Sequence, residues 1–174
     1  MPGLGESISA DQKYIELYKQ VLPTVDVAVW IIAAGDRQLT IMQRALQLIS
    51  IAMDDKYLDR IVFAVNKADI MQPIEWNDRI NLPSETQLAN LQLFADNVKA
   101  KILEVHPSWQ GTIITYSALK NYNTKQLLVS MLQAADKRRI WLIKKNMNIA
   151  SPFENVDPKL KAYALEMLQT KAKK

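Results

Sequence analysis

Cysteine is missing from the 174 residues, which excludes disulfides and any thiolate metal site. Glycine is nearly as scarce: Gly3, Gly5, Gly35 and Gly111 are all there is, and none is followed by lysine. A phosphate-cradling loop of the Gly-x-x-x-x-Gly-Lys-Ser/Thr kind is therefore absent from this sequence. Histidine occurs once, at position 106, with no second candidate ligand near it in sequence, so His106 reads as a helix-end residue rather than a catalytic group. No apolar run reaches the length of about 18 residues that a membrane-spanning helix needs. No signal peptide precedes the first helical pattern, and the reading is a soluble, cytoplasmic chain with no integral membrane segment. No internal repeat is visible, and the lysine-rich tail is the one low-complexity tract.

What is present is apolar enough to build a sizeable core, at 49% hydrophobic residues over the 174-residue chain. The apolar residues fall into alternating patterns. Short β-branched runs at 26–34, 61–66 and 111–117 read as buried strands, and each is followed by a helical stripe. Ile15, Tyr18 and Leu22 lead to Pro23. Leu39, Met42, Leu46, Ile49 and Met53 form a second stripe, where methionine reads as core filler. Leu91, Phe94, Val98, Ile102 and Val105 form a third, and Leu127, Leu128, Met131 and Leu132 a fourth. Helix starts are marked by Ser9 with Gln12, Ser84 with Gln87 and Asn123 with Gln126, all read as capping boxes. Residues 70–83 show no clear period and read as a loop or insertion bordering a pocket at the strand ends, with Trp76 either covering a base there or, the favoured reading, anchoring the loop to the core. Strand–helix alternation of this kind predicts an α/β fold: a three-layer parallel sheet with helices on both faces, followed by C-terminal helices.

In open parallel sheets, ligands sit just beyond the carboxyl ends of the strands. The run Ile61-Val62-Phe63-Ala64-Val65 ends there in Asn66-Lys67-Ala68-Asp69. A fixed carboxylate accepts two parallel N–H bonds, the pair that guanine offers and adenine does not. An asparagine amide meets the O6 and N7 acceptors, and a lysine stem lies over the purine ring. A second strand-like run, Gly111 to Tyr116, ends in Ser117-Ala118-Leu119-Lys120. Together with Pro2-Gly3-Leu4-Gly5 at the N-terminus, these segments resemble the motifs of P-loop GTPases, in the family's order and over roughly residues 2–135. The nearest branch is the Era-like, ribosome-associated type, including its prophage and genomic-island members.

The resemblance implies a C-terminal part of a G domain over 1–136 and binding of GTP or GDP. Asp69 would take the guanine N–H groups, Asn66 would shape the pocket and meet the base, and Lys67 would stack on it. Ser117 and Ala118 would support the base from the second loop. Gly3 would approach a γ-phosphate, while Leu4 stands where some relatives place a water-orienting glutamine, a task leucine cannot perform. The absent phosphate loop, first switch and magnesium-binding aspartate imply an N-terminal truncation, with Mg²⁺ expected only if that part is supplied. Hydrolysis is expected to be lost, and no catalytic residue is assigned. In the family's sheet order, the missing strand would leave the strand at 27–32 as an exposed apolar edge open to homodimerisation.

Charge is uneven. From Lys120 onward there are 12 Lys and Arg against 4 Asp and Glu, whereas the preceding residues hold 10 against 14. Residues 137–174, beginning Lys137-Arg138-Arg139, read as a basic helical extension, with a last helix opening at Asp157-Pro158. Such a segment suits contact with RNA or a ribosomal surface, which gives the alternative of a non-enzymatic RNA-binding module. An inactive remnant is the third reading.

Overall fold

A computed structural model describes residues 8–135 together with Ala162. The segment 1–7, with Gly3 and Leu4, and the basic extension, apart from Ala162, lie outside the described residues. Helix α1 (Ile8–Val21) is stopped by Pro23 in a 3₁₀ turn, Leu22–Thr24, and strand β1 (Ala28–Ala33) follows. Next come α2 (Leu39–Ala52), the short α3 (Asp55–Leu58) and β2 (Ile61–Asn66). A second 3₁₀ turn, Ala68–Ile70, leads to a small hairpin of β3 (Trp76–Asn77) and β4 (Leu82–Pro83). The chain continues through α4 (Glu85–Val105), β5 (Ile114–Thr115) and α5 (Thr124–Ala134).

β1, β2 and β5 form one parallel sheet in the order β1-β2-β5. β2 is its centre and is buried on both faces, which explains its unbroken apolar run. The register sets Ala28 against Ile61, Trp30 against Phe63 and Ile32 against Val65, so these residues share a face. On that face they meet Met42, Leu46 and Ile49 of α2, Val98 and Ile102 of α4, and Ile15 of α1. Phe63 is the centre of this core, stacked on Trp30 at 5.7 Å and edge-on to Trp109 at 5.5 Å. Ala64 points to the other face yet is fully buried, and α5 packs against β2 and β5 there. The architecture is α/β with helical layers on a parallel sheet.

Several expected features shift. The third strand is shorter than 111–117, with only Ile114 and Thr115 paired to β2. At Gly111, just before this strand, a Cβ would collide with the Trp109 ring, so the close approach there needs glycine. The first strand is likewise trimmed to 28–33. Residues 70–83, expected to be loop, contain the β3–β4 hairpin. Its turn is closed by Asn77, whose Oδ1 accepts from the Arg79 and Ile80 amides, and by Asn81 in the left-handed region at φ 56°.

The capping boxes also need correction. Ser84 does cap α4, accepting from the Gln87 amide at 3.1 Å, but the Ser84 N–H is met by the Glu75 carbonyl and not by the Gln87 side chain. Asn123 sits at the start of α5 without capping it; its Nδ2 donates to the Thr115 carbonyl at 3.0 Å, tying the helix to β5. Side chains at Ser9 and Gln12 lie outside the described set. Among the described residues, no helix is long and apolar enough to cross a membrane.

β1 is an edge of the described sheet, since only β2 pairs with it. An open groove of about 500 Å³ follows it, lined by Tyr18, Leu22, Trp30, Ile32, Leu39 and Met42 among others. Ile31, which also lines it, is 57% exposed.

Candidate functional site

Two loops leave the carboxyl ends of adjacent strands, one from β2 at residues 66–71 and one from β5 at 116–123. The backbone stitches their roots together: the Ala68 N–H donates to the Tyr116 carbonyl at 3.1 Å, and the Tyr116 N–H to that of Val65 at 2.8 Å. Burial lifts the Tyr116 phenol above its ordinary value of 10.0, so it stays neutral over the physiological range.

Asn66 is the hinge between the loops. Its Oδ1 accepts from the Lys67 amide at 2.7 Å and from the Ala118 amide at 3.1 Å. Only its Nδ2 donor then lacks a hydrogen-bond partner among the described residues. Lys67 adopts the left-handed conformation, φ 64° and ψ 37°, which costs a non-glycine residue about 1 kcal/mol or more. That turn sends the lysine side chain outward and lets Ala68 and Asp69 fold back into the protein, where both are buried.

Asp69 is 7% exposed, and its Oδ1 accepts from the Ser117 hydroxyl at 2.5 Å. Ser117 is itself completely buried, and its Oγ accepts from the Lys120 amide at 3.0 Å. The serine therefore orients the carboxylate and closes the second loop; it does not face solvent. Ala118 was expected to support a base through its backbone, but its N–H is engaged by Asn66. Asp69, Asn66, Ser117 and Ala118 are thus brought together by tertiary hydrogen bonds, with Lys67 exposed at their rim.

The hairpin braces the second loop. Asn81 donates from Nδ2 to the Lys120 carbonyl at 2.8 Å and accepts from the Trp76 indole at 3.3 Å. Lys120 reaches Asp78 at 2.6 Å, and Trp76 packs edge-on to Tyr122 at 5.2 Å. The indole also packs on Ala68, Met71 and Leu91, which makes it an anchor.

Gln87 is also part of this assembly, although no motif marks it. It is fully buried and donates from Nε2 to the carbonyls of Ala68, Asp69 and Met71. A signal existed, because Gln87 falls four residues before Leu91 on the buried stripe of α4, where a polar residue is out of place.

His106 is buried and lies 3.1 Å from Asp59 at the far end of α4, remote from the loops. Among the described residues, no group of three or more histidine, aspartate or glutamate side chains is placed to hold a metal ion. The basic segment from Lys137, Arg138 and Arg139 lies outside the described residues.

No protein-family profile matches the chain. It is 26% identical over 110 residues to the uncharacterized protein YkfA of Escherichia coli K12, covering 63% of this chain and 34% of that protein. Over a stretch of the same length it is 24% identical to the uncharacterized protein YfjP of the same strain. The chain thus spans about a third of the length of these relatives. No solved structure matches it.

Proposed function

We propose that the carboxyl ends of β2 and β5 form a guanine-reading site, equivalent to the base-recognising half of an Era-like GTPase domain. The observation that carries this reading is Asp69: a nearly buried carboxylate just beyond the carboxyl end of the central strand of a parallel sheet, aimed by the Ser117 hydroxyl at 2.5 Å. Each carboxylate oxygen has two lone pairs, so Oδ1 serves Ser117 and still accepts from a base. Guanine presents the matching N–H pair; adenine does not. Asn66 keeps the two loops in register and offers its Nδ2 to the base acceptors. Lys67 lays its stem over the ring, which accounts for its strained backbone and outward side chain.

Energetics bound what such a site does alone. A bidentate base contact is worth roughly 1–3 kcal/mol. Two of them supply at most about 6 kcal/mol before the cost of association is subtracted, so the dissociation constant is no better than about 0.1–1 mM. Phosphate contacts supply most of the affinity and the transition-state stabilisation in nucleotide hydrolases, and the sequence has no Gly-Lys pair to provide them. The chain is therefore expected to bind guanosine about as well as GDP and to leave GTP intact.

The test is a titration with guanosine, xanthosine and adenosine of the wild type and Asp69→Asn. The wild type should prefer guanosine. The variant should prefer xanthosine, whose 2-oxo group wants a donor, with the ratio of affinities moving about 100-fold. A base preference that ignores the substitution sinks the assignment.

A further inference from the structure

The buried stripe of α4 contains Leu91, Ala95, Val98 and Ile102, and it opens on Gln87. The Gln87 Nε2 lies 3.3 Å from the Ala68 carbonyl oxygen, 3.1 Å from that of Asp69 and 3.0 Å from that of Met71. An amide nitrogen has two hydrogens, so three carbonyls share them. The opposite amide orientation would press Oε1 against the same three oxygens, so the chemistry admits only a donor here. Oε1, on the other side, is buried and has no hydrogen-bond partner among the described residues. An apolar side chain of similar size would avoid that desolvation penalty. The position therefore needs a donor for the loop and tolerates an orphaned acceptor to have one.

We infer that Gln87 is the positioning residue of the base-reading loop. By holding the carbonyls of Ala68, Asp69 and Met71, its amide fixes the backbone that aims the Asp69 carboxylate. Gln87 touches no base, so the inference rests on the reading of Asp69 as the guanine acceptor. Ser117 orients the carboxylate from the side-chain end and Gln87 from the backbone end. The two restraints come from different elements, and neither replaces the other.

The experiment uses the full 174-residue chain, labelled with ¹⁵N, as wild type, Gln87→Met and Gln87→Glu. Amide-exchange protection and guanosine and adenosine titrations are read on each. In Gln87→Met, protection at Ile70 and Met71, whose amides bond within the loop, should fall about tenfold. Val98 and Ile102, further along α4, should stay within about twofold, and guanosine affinity should fall about fivefold. Unchanged protection at Ile70 and Met71 overturns the positioning role whether or not any base binds. Unchanged guanosine affinity beside loosened amides overturns the link from Gln87 to base recognition. Equal binding of guanosine and adenosine by the wild type overturns the reading of Asp69 instead, leaving loop protection to decide the role of Gln87.

Gln87→Glu adds a readout that mere space-filling would not move, and it serves if the methionine variant does not fold. A carboxylate facing three carbonyls is disfavoured as the anion, so its folded-state pKa is raised. Stability and loop protection are then present below the ordinary glutamate range and lost as pH rises through the raised value. Protection at Ile70 and Met71 in Gln87→Glu that falls between about pH 4 and pH 8 relative to that at Val98 and Ile102 supports the role. A parallel profile overturns it.

Discussion

The two functional-looking regions of this molecule are built on opposite principles. At the carboxyl ends of β2 and β5, nearly every buried polar group has a named partner: Asn66 holds Lys67 and Ala118, Ser117 holds Asp69 and Lys120, and Gln87 holds Ala68, Asp69 and Met71. Along β1 the reverse is true. That strand presents an apolar groove of about 500 Å³, an exposed Ile31 and a side without a strand among the described residues. A region rich in directional bonds discriminates between ligands, because a wrong partner leaves buried groups unpaired. An open apolar edge attracts any extended segment and discriminates poorly. Selectivity is therefore expected at the loops and association at the edge, and the two should be separable by mutation.

The sharpest separation after the Asp69 exchange comes from Ser117→Ala. Removing the hydroxyl frees the carboxylate and strands the Lys120 amide, so guanosine affinity should fall about tenfold and stability by about 1–3 kcal/mol. Urea unfolding and the guanosine titration measure the two effects, and self-association should not change. A variant with wild-type affinity would remove Ser117 from the site.

Ile31→Lys tests the other region. A lysine on an edge strand blocks edge-to-edge pairing, so a chain that self-associates through β1 should shift to the monomer in size-exclusion chromatography with guanosine affinity within about twofold. A wild-type chain that is already monodisperse and monomeric would remove the edge from consideration.

The smallest effect concerns pH. Burial holds the Tyr116 phenol above its ordinary value of 10.0. The unfolded phenol ionises first as pH rises, so the folded state loses stability through and above that value, and none of this loss occurs below it. Tyr116→Phe should flatten the alkaline limb of a stability–pH curve and leave neutral behaviour unaltered. Tyr18, raised first by burial and then by the nearby Tyr14, retains its own contribution.

Much of the frame was legible in the chain. The buried run at 61–65 reads as a central strand, because five consecutive residues with no polar face have to be covered on both sides. The stripe from Leu91 to Val105 marked α4, and Pro23 marked the end of the first helical segment. The polar tetrad after β2 was visible as a candidate site because of where it falls on the sheet. The hairpin at 76–83 was not legible, since its strands are two residues each and carry no period.

The sequence by itself determined the order of the three parallel strands and the long helices, the apolar stripe of each, and the residue types available beyond the strand ends. These follow from local periodicity, which any short window contains. Only the tertiary structure decided what each polar group does: that Asn66 reaches Ala118 across 52 positions, that Asp69 is aimed by Ser117 across 48, that Asn123 turns to Thr115 instead of capping α5, and that Gln87 faces the loop rather than Ser84. A hydrogen bond depends on distance and angle between two specific atoms, and packing brings those atoms together only after the chain has closed. Burial can be read from a pattern along the chain, whereas the choice of partner has no pattern to read.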